Sequence, residues 1–149
     1  MEFDTYFCDV TKSNKMNTDK IKEFFKDDRY AMLSGIEIID VKKGYCKAKL
    51  EIQDKHLNAA NVVQGGAIFT LADFAMGLAS NSHGQLALAI NANITFLKGI
   101  SKGKLYAIAR EVSDPKRIGA YEVHVNNEND EAIAFFSGVV YRKNEKIDI

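Results

Sequence analysis

Asp73 is the only formally charged residue between His56 and Leu97, in a chain of which 27% of residues are charged. A carboxylate so isolated can act as a general base on an attacking water, or attack as a nucleophile. On a helix, at about 100° per residue, Gly66, Thr70, Asp73 and Gly77 share one narrow stripe. Ile68, Phe69, Leu71, Phe74, Ala75, Met76 and Leu78 cover the remainder. One reading of the stripe is a face turned to water. Solvent faces usually carry Lys and Glu, however, whereas two glycines and a threonine leave room for a close approach, which favours an acid in a cleft.

Gly65 and Gly66 open the same segment. The free N–H groups and positive dipole end of a helix start form an anion site, suited to a carbonyl oxygen gaining negative charge. A tight entry turn needing glycine for its backbone angles is the competing reading. Gln64, just before the pair, can donate a hydrogen bond but cannot titrate near neutral pH.

The elements that must hold these residues can be read from periodicity. Val62–Ser80 is the most apolar stretch, interrupted by Gln64 and Asp73. A carboxylate at mid-span costs roughly 2.5 to 3.5 kcal/mol on insertion scales and no second apolar helix compensates, so a buried helix fits better than a membrane span. It is entered through Gly65 and Gly66 and ends near Ser80 to Gly84. Before it, Thr18 and Asp19 start an amphipathic helix over Ile21–Phe25. Strands follow at Ile36–Val41 and Tyr45–Ile52, with Lys43 and Gly44 as their turn, then a loop over Gln53–Asn61. After it come strands at Leu86–Leu97, Lys104–Val112, Ile118–Asn127 and Glu131–Arg142. Their breaks are Gly99 with Gly103, Asp114 with Pro115, and Asn126–Asp130. Helix, two strands, long helix and four strands describe an α+β fold, an antiparallel sheet wrapped around one long central helix.

Residues 16–149 read as a single domain, and residues 1–15, without periodicity, as a loose N-terminal extension with Met16 as a candidate start. Twenty basic residues balance twenty acidic ones, so no overall field draws the chain to nucleic acid or an anionic membrane. The acidic start, with Glu2, Asp4 and Asp9, has neither the basic nor the apolar run of a secretory signal, and a cytoplasmic protein is expected. Cys8 and Cys46 lack metal or redox spacing, and His56, His83 and His124 lack metal spacing, so no metal or cofactor is expected.

From about Asn58 to Arg142 the sequence resembles the hot-dog-fold acyl-CoA thioesterases of the PaaI-like, phenylacetate-pathway group. The resemblance rests on Asn58, Gln64-Gly65-Gly66, Leu71-Ala72-Asp73, Asn81-Ser82, Asn93-Ile94-Thr95-Phe96-Leu97 and the closing strand Gly138–Arg142. It implies a mixed sheet around a central helix, assembly as a homodimer or homotetramer, and metal-free hydrolysis of an acyl-CoA to free acid and CoA. It further implies that Asp73 activates water or attacks directly, that the Gly65 N–H lies in the oxyanion hole, and that Asn58 orients water or substrate. Gln64 stands where the group usually has histidine, so carbonyl polarisation survives but proton transfer by that side chain does not. Ala89 takes the place of a water-holding serine. Gly66, Thr70, Ala89, Lys98 and Arg117 are the expected substrate contacts, with Lys102, Lys104 and Lys116 as further candidates for the CoA phosphates.

Helix geometry adds a constraint. Eight residues separate Gly65 from Asp73, about 12 Å along a helix, too far for one thioester to bridge. The site is therefore expected to be composite, with Asp73 of one subunit meeting Gly65 and Asn58 of another. The alternative is a non-catalytic protein that binds acyl-CoA or another small ligand, which free-thiol release would separate from an enzyme. Acyl-thioester dehydration would pair the helix acid with a loop histidine, absent immediately before this helix. A DNA-binding regulator would need a basic module that the segment before Ile36 does not supply.

Overall fold

Alternation of buried and outward side chains builds the sheet. In β2 (Tyr45–Glu51) the buried positions are Cys46, Ala48 and Leu50, and in β4 (Lys104–Ser113) they are Leu105, Ala107 and Ala109. The computed structural model describes residues 17–113 and 116–149. The extension expected over residues 1–15, Met16, Cys8 and the turn at Asp114 and Pro115 lie outside the described residues.

The remaining strands are β1 (Ile36–Lys42), β3 (Gln85–Phe96), β5 (Ile118–Asn127) and β6 (Ala132–Lys146). The six form one sheet in the order β1-β2-β4-β5-β6-β3. Every pairing is antiparallel, which corrects the mixed sheet implied by the resemblance. The long helix α3 (Gly65–Asn81) carries the chain from β2 to the opposite edge of the sheet, where β3 runs against β6. Two helices precede β1: α1 (Thr18–Phe25), capped by the Asn17 side chain on the N–H groups of Asp19 and Lys20, and α2 (Arg29–Ser34).

The short helix α2 is not foreseen by periodicity, because six residues hold too few turns to display one. Its signals are its ends: Asp28 accepts from the Ala31 N–H, and Gly35 closes it with φ +82°.

Burial on α3 follows its composition. Leu71, Ala72, Ala75, Leu78 and Ala79 are completely buried, and the facing sheet presents Ala48, Ala107 and Ala109, also completely buried. These small side chains let the helix axis approach the strands closely. Gly138 on β6 serves the same end, because a Cβ there would stand 2.3 Å from the Met76 sulfur. The two sheet edges differ. The β1 edge is short, bulged between Ile38 and Asp40, and charged at Glu37, Asp40 and Lys42, the usual protection against edge pairing. The β3 edge runs twelve residues without a charge and exposes Leu88, Ile90 and Phe96.

The Asn81-Ser82 pair locks the end of α3 to its surroundings. Buried Asn81 donates to the carbonyls of Gly77 (2.8 Å) and Ala87 (3.0 Å) and accepts from the Ala87 N–H (2.9 Å). Ser82 accepts from the Gly44 N–H at 2.8 Å and donates to the Ala79 carbonyl at 2.7 Å. Helix, first hairpin and β3 are thereby fixed to one another. Asn81→Ala leaves the buried Ala87 N–H without its acceptor and is expected to lower unfolding free energy by roughly 2–4 kcal/mol in urea denaturation. A loss below about 0.5 kcal/mol, the scale of an ordinary surface substitution, would refute the locking role.

Candidate active site

Asp73 sits midway along α3, half-buried, at the wall of a cleft of about 400 Å³ between α3, the α1–α2 turn and the first half of β3. No described residue bonds or ion-pairs with its carboxyl. Burial pushes its pKa up from the ordinary carboxylate value, and the negative charge of Asp28 adds to the rise. Ala89 lines the same cleft, as do Phe24, Phe25, Asp27 and Asp28. Those last four were not anticipated, because nothing local in the chain reveals that α1 folds back over α3. A signal did exist in Gly77: the Phe25 ring packs there, 3.4 Å from where a Cβ would stand, and meets Phe74 edge-on at 5.8 Å.

The other expected residues gather at the opposite end of the helix. Gln64 is the N-cap of α3, its Oε1 accepting from the Gly66 N–H at 2.5 Å. That bond orients the side chain so that its amide N–H₂, which can only donate, is the end left over. The Gly65 N–H meets no acceptor among the described residues. Asn58 organises the entry loop through its Oδ1, which accepts from the N–H groups of Ala60 (2.8 Å) and Val62 (3.3 Å), again leaving an amide donor. Thr70 turns its hydroxyl back onto the Gly66 carbonyl at 2.7 Å.

The glycine stripe is thus divided between two places. Asp73 and Gly77 face the cleft, whereas Gly66 and Thr70 belong to the helix start. The open space at the helix-start glycines is also partly filled by the chain itself: a Cβ on Gly65, beside the stripe, would stand 2.8 Å from the Phe96 ring, and one on Gly66 2.5 Å from Gln64 Oε1. The cationic candidates separate too. Lys98, near the helix start, pairs with Glu131 at 3.0 Å. Arg117 donates to the Tyr141 hydroxyl at 3.2 Å and lines a different cleft with Lys116, Arg142 and Lys143.

The three histidines do other work. His56 is buried and accepts the Gln53 N–H at Nδ1, so its Nε2 donates to the Ser34 carbonyl. His83 contacts Glu111 at 2.5 Å, beside the Tyr121 hydroxyl that bonds both Glu111 and Arg142. His124 lies on the surface against the Phe135 ring. Cys46 is completely buried, and burial raises its thiol pKa to about 12, which rules out a ready thiolate. No group of His, Cys, Asp and Glu among the described residues is arranged to hold a metal, and no helix among them is long and apolar enough to cross a membrane.

An acid in a cleft and an open N–H at the start of the same helix have counterparts in known proteins. Residues 60–134 match the model of the thioesterase superfamily. The chain belongs to that superfamily. A protein of Archaeoglobus fulgidus that carries a provisional esterase name is 43% identical over 142 residues, covering 94% of this chain and 92% of its own. The acyl-coenzyme A thioesterase PaaI of Escherichia coli is 31% identical over 119 residues, covering 79% of this chain and 85% of its own. The solved E. coli PaaI structure superposes with a TM-score of 0.83 at 28% identity, covering 87% of this chain and 95% of that one. A Streptococcus mutans structure with acetyl CoA bound gives 0.72 at 27% identity, over 75% and 91% of the two chains. This thioesterase is accordingly a PaaI-like member with the hot-dog fold.

The raised Asp73 pKa has a sign that can be checked. A carboxyl whose folded pKa lies above its unfolded value contributes stability that is fully present below the unfolded pKa and lost as pH rises through the folded one. Asp73→Asn is therefore expected to raise the melting temperature of the thioesterase near neutral pH, with the gain shrinking as the pH falls below the carboxylate range. In a carboxyl-carbon NMR titration, Asp28→Asn, which keeps an N-cap acceptor, should lower the Asp73 midpoint. An unchanged midpoint would leave burial as its only cause.

Proposed function

We propose that the protein hydrolyses acyl-CoA thioesters in a composite site, in which Asp73 of one subunit activates water against a thioester held at the α3 start of another. The observation that carries this reading is the division of the machinery along one continuous helix. The unpaired acid lies at Asp73, and the open Gly65 N–H lies eight residues earlier, about 12 Å away at the helical rise. A water about 3 Å from its base and a carbonyl at its donor fit within half that span. The acyl-CoA activity of the E. coli relative and the acetyl CoA in the S. mutans structure support the substrate class.

The β3 edge supplies the means of assembly. Its twelve uncharged residues, with Leu88, Ile90 and Phe96 exposed, are suited to antiparallel pairing with the same strand of a second copy. Ala89 on that strand lines the Asp73 cleft, and Phe96 at its far end touches Gly65, so one two-fold contact along β3 brings each cleft toward the other subunit's helix start.

In the reaction, the thioester carbonyl oxygen accepts from the Gly65 N–H, with the Gln64 amide as a second donor and the dipole of α3 behind them. Asp73 takes a proton as the water oxygen bonds to the carbonyl carbon. Collapse of the tetrahedral intermediate breaks the C–S bond, CoA leaves as thiolate, and the proton held by Asp73 passes to it or to solvent. Asn58, with its carbonyl committed to the loop, offers its amide to the water or the substrate. Gly66 and Thr70 shape the helix start, Ala89 borders the water, and Lys98 and Arg117 are surface cations for CoA phosphates.

Asp73→Asn should reduce kcat by at least about 10²-fold and Gly65→Pro by about 10²- to 10³-fold, read as thiol release from acyl-CoAs. Proline is tolerated at the first helical position and removes the N–H in question, while its Cβ displaces the Phe96 ring, so Gly65→Ala, which adds the same Cβ and keeps the N–H, is the control and should retain more activity. Mixing the two inactive variants after dissociation should restore about one quarter of wild-type activity, since half of the dimers are mixed and each regains one of two sites. Near-normal turnover by Asp73→Asn would sink the assignment, and failure to complement would sink the composite site.

A further inference from the structure

Asp27 and Asp28, in the turn between α1 and α2, both reach the cleft that holds Asp73. Asp28 is engaged through one oxygen by the Ala31 N–H, and neither carboxylate forms an ion pair with a described residue. Apart from the carboxylates, Ser80 and Asn81, the cleft walls are apolar, with Phe24, Phe25 and Phe74 among them, and no Lys, Arg or His is found in the described lining. Three carboxylates therefore share about 400 Å³ without a cation.

That charge decides which part of an acyl-CoA can enter. The nucleotide arm bears phosphates, and three uncompensated carboxylates oppose it, while the basic cleft at Lys116, Arg117, Arg142 and Lys143 lies elsewhere. We infer that the Asp73 cleft receives the acyl group, and that Asp27 and Asp28 make it selective for uncharged alkyl or aryl acyl groups against those ending in a carboxylate. The inference rests on the acyl-CoA hydrolase reading and names the substrate class of that same site.

A free carboxylate entering this cleft meets two penalties. It leaves water for walls whose side-chain donors, Ser80 and Asn81, are already committed to the Gly77 and Ala87 carbonyls, and it meets like charges at the rim. At about 6 Å, one like charge costs from about threefold at the dielectric of bulk water to about a hundredfold at an effective dielectric near 20. Asp27 and Asp28 are exposed, so salt should weaken their share.

The experiment compares kcat/KM for heptanoyl-CoA and adipyl-CoA, acyl arms of similar length that differ in a terminal carboxylate. Wild-type protein should prefer heptanoyl-CoA by at least about tenfold, on the repulsion above. Asp27→Asn combined with Asp28→Asn, which keeps the cap on α2, should shift the ratio toward adipyl-CoA by at least about fivefold. A rise in salt should shift the wild-type ratio the same way. A wild-type preference for heptanoyl-CoA below about tenfold overturns the inference while the hydrolase reading stands. A ratio unmoved in the double variant does the same. No turnover of any acyl-CoA overturns the hydrolase reading and the inference with it. A melting curve for the double variant confirms that it is folded when the ratio is read.

Discussion

The rise of an α-helix fixes the distance between Asp73 and the open Gly65 N–H, and the proposed mechanism answers to that distance. Asp73 and Gly65 lie on one unbroken helix pressed against a sheet through completely buried alanines, so neither can shift toward the other. In the composite site we propose, a second copy brings complementary places of two such rigid helices together. The uncharged β3 edge is the surface that makes such a meeting possible. The same packing that stabilises the fold thus keeps Asp73 and the Gly65 N–H apart, and in the proposed composite site assembly becomes part of the mechanism.

Asp73 costs stability where it stands. It is half-buried, without a hydrogen bond or counter-ion among the described residues, beside another carboxylate that raises its pKa further. A fold selected for stability alone would place an apolar or amide side chain there. Local inconsistency of this kind, in an otherwise well-satisfied helix, is the physical mark of a position retained for chemistry. Asn81 and Ser82, at the other end of the helix from Gly65, show the contrast: polar, buried and fully occupied, they serve the scaffold.

Much of this was legible in the residues. Strand alternation and turn glycines placed all six strands to within a few positions, and the lone charge in an apolar stretch singled out Asp73. Three things were not legible. Helix α2 is too short to show a period, although Asp28 and Gly35 mark its ends. The strand order β1-β2-β4-β5-β6-β3 was not legible, because it depends on which edge the α3 crossover reaches. Above all, Phe24, Phe25, Asp27 and Asp28 join the site only because α1 folds across α3, a contact some fifty residues apart in sequence that no local spacing encodes.

The glycine stripe shows how a correct signal can mislead in detail. Its small residues do mark close approaches, but the approaching groups are the chain's own Phe25 at Gly77, Phe96 at Gly65 and the Gln64 carbonyl at Gly66. Each contact fixes a functional part. Phe25 brings the α1–α2 turn and its carboxylates over the cleft, Phe96 ties the β3 edge to the start of α3, and Gln64 Oε1, engaged by the Gly66 N–H, leaves its amide able to donate. Where a histidine would bring a titrating group to the helix start, glutamine brings a donor that is present at every pH. In the proposed reaction proton transfer then rests on Asp73, whose raised pKa makes it a stronger base than an ordinary aspartate.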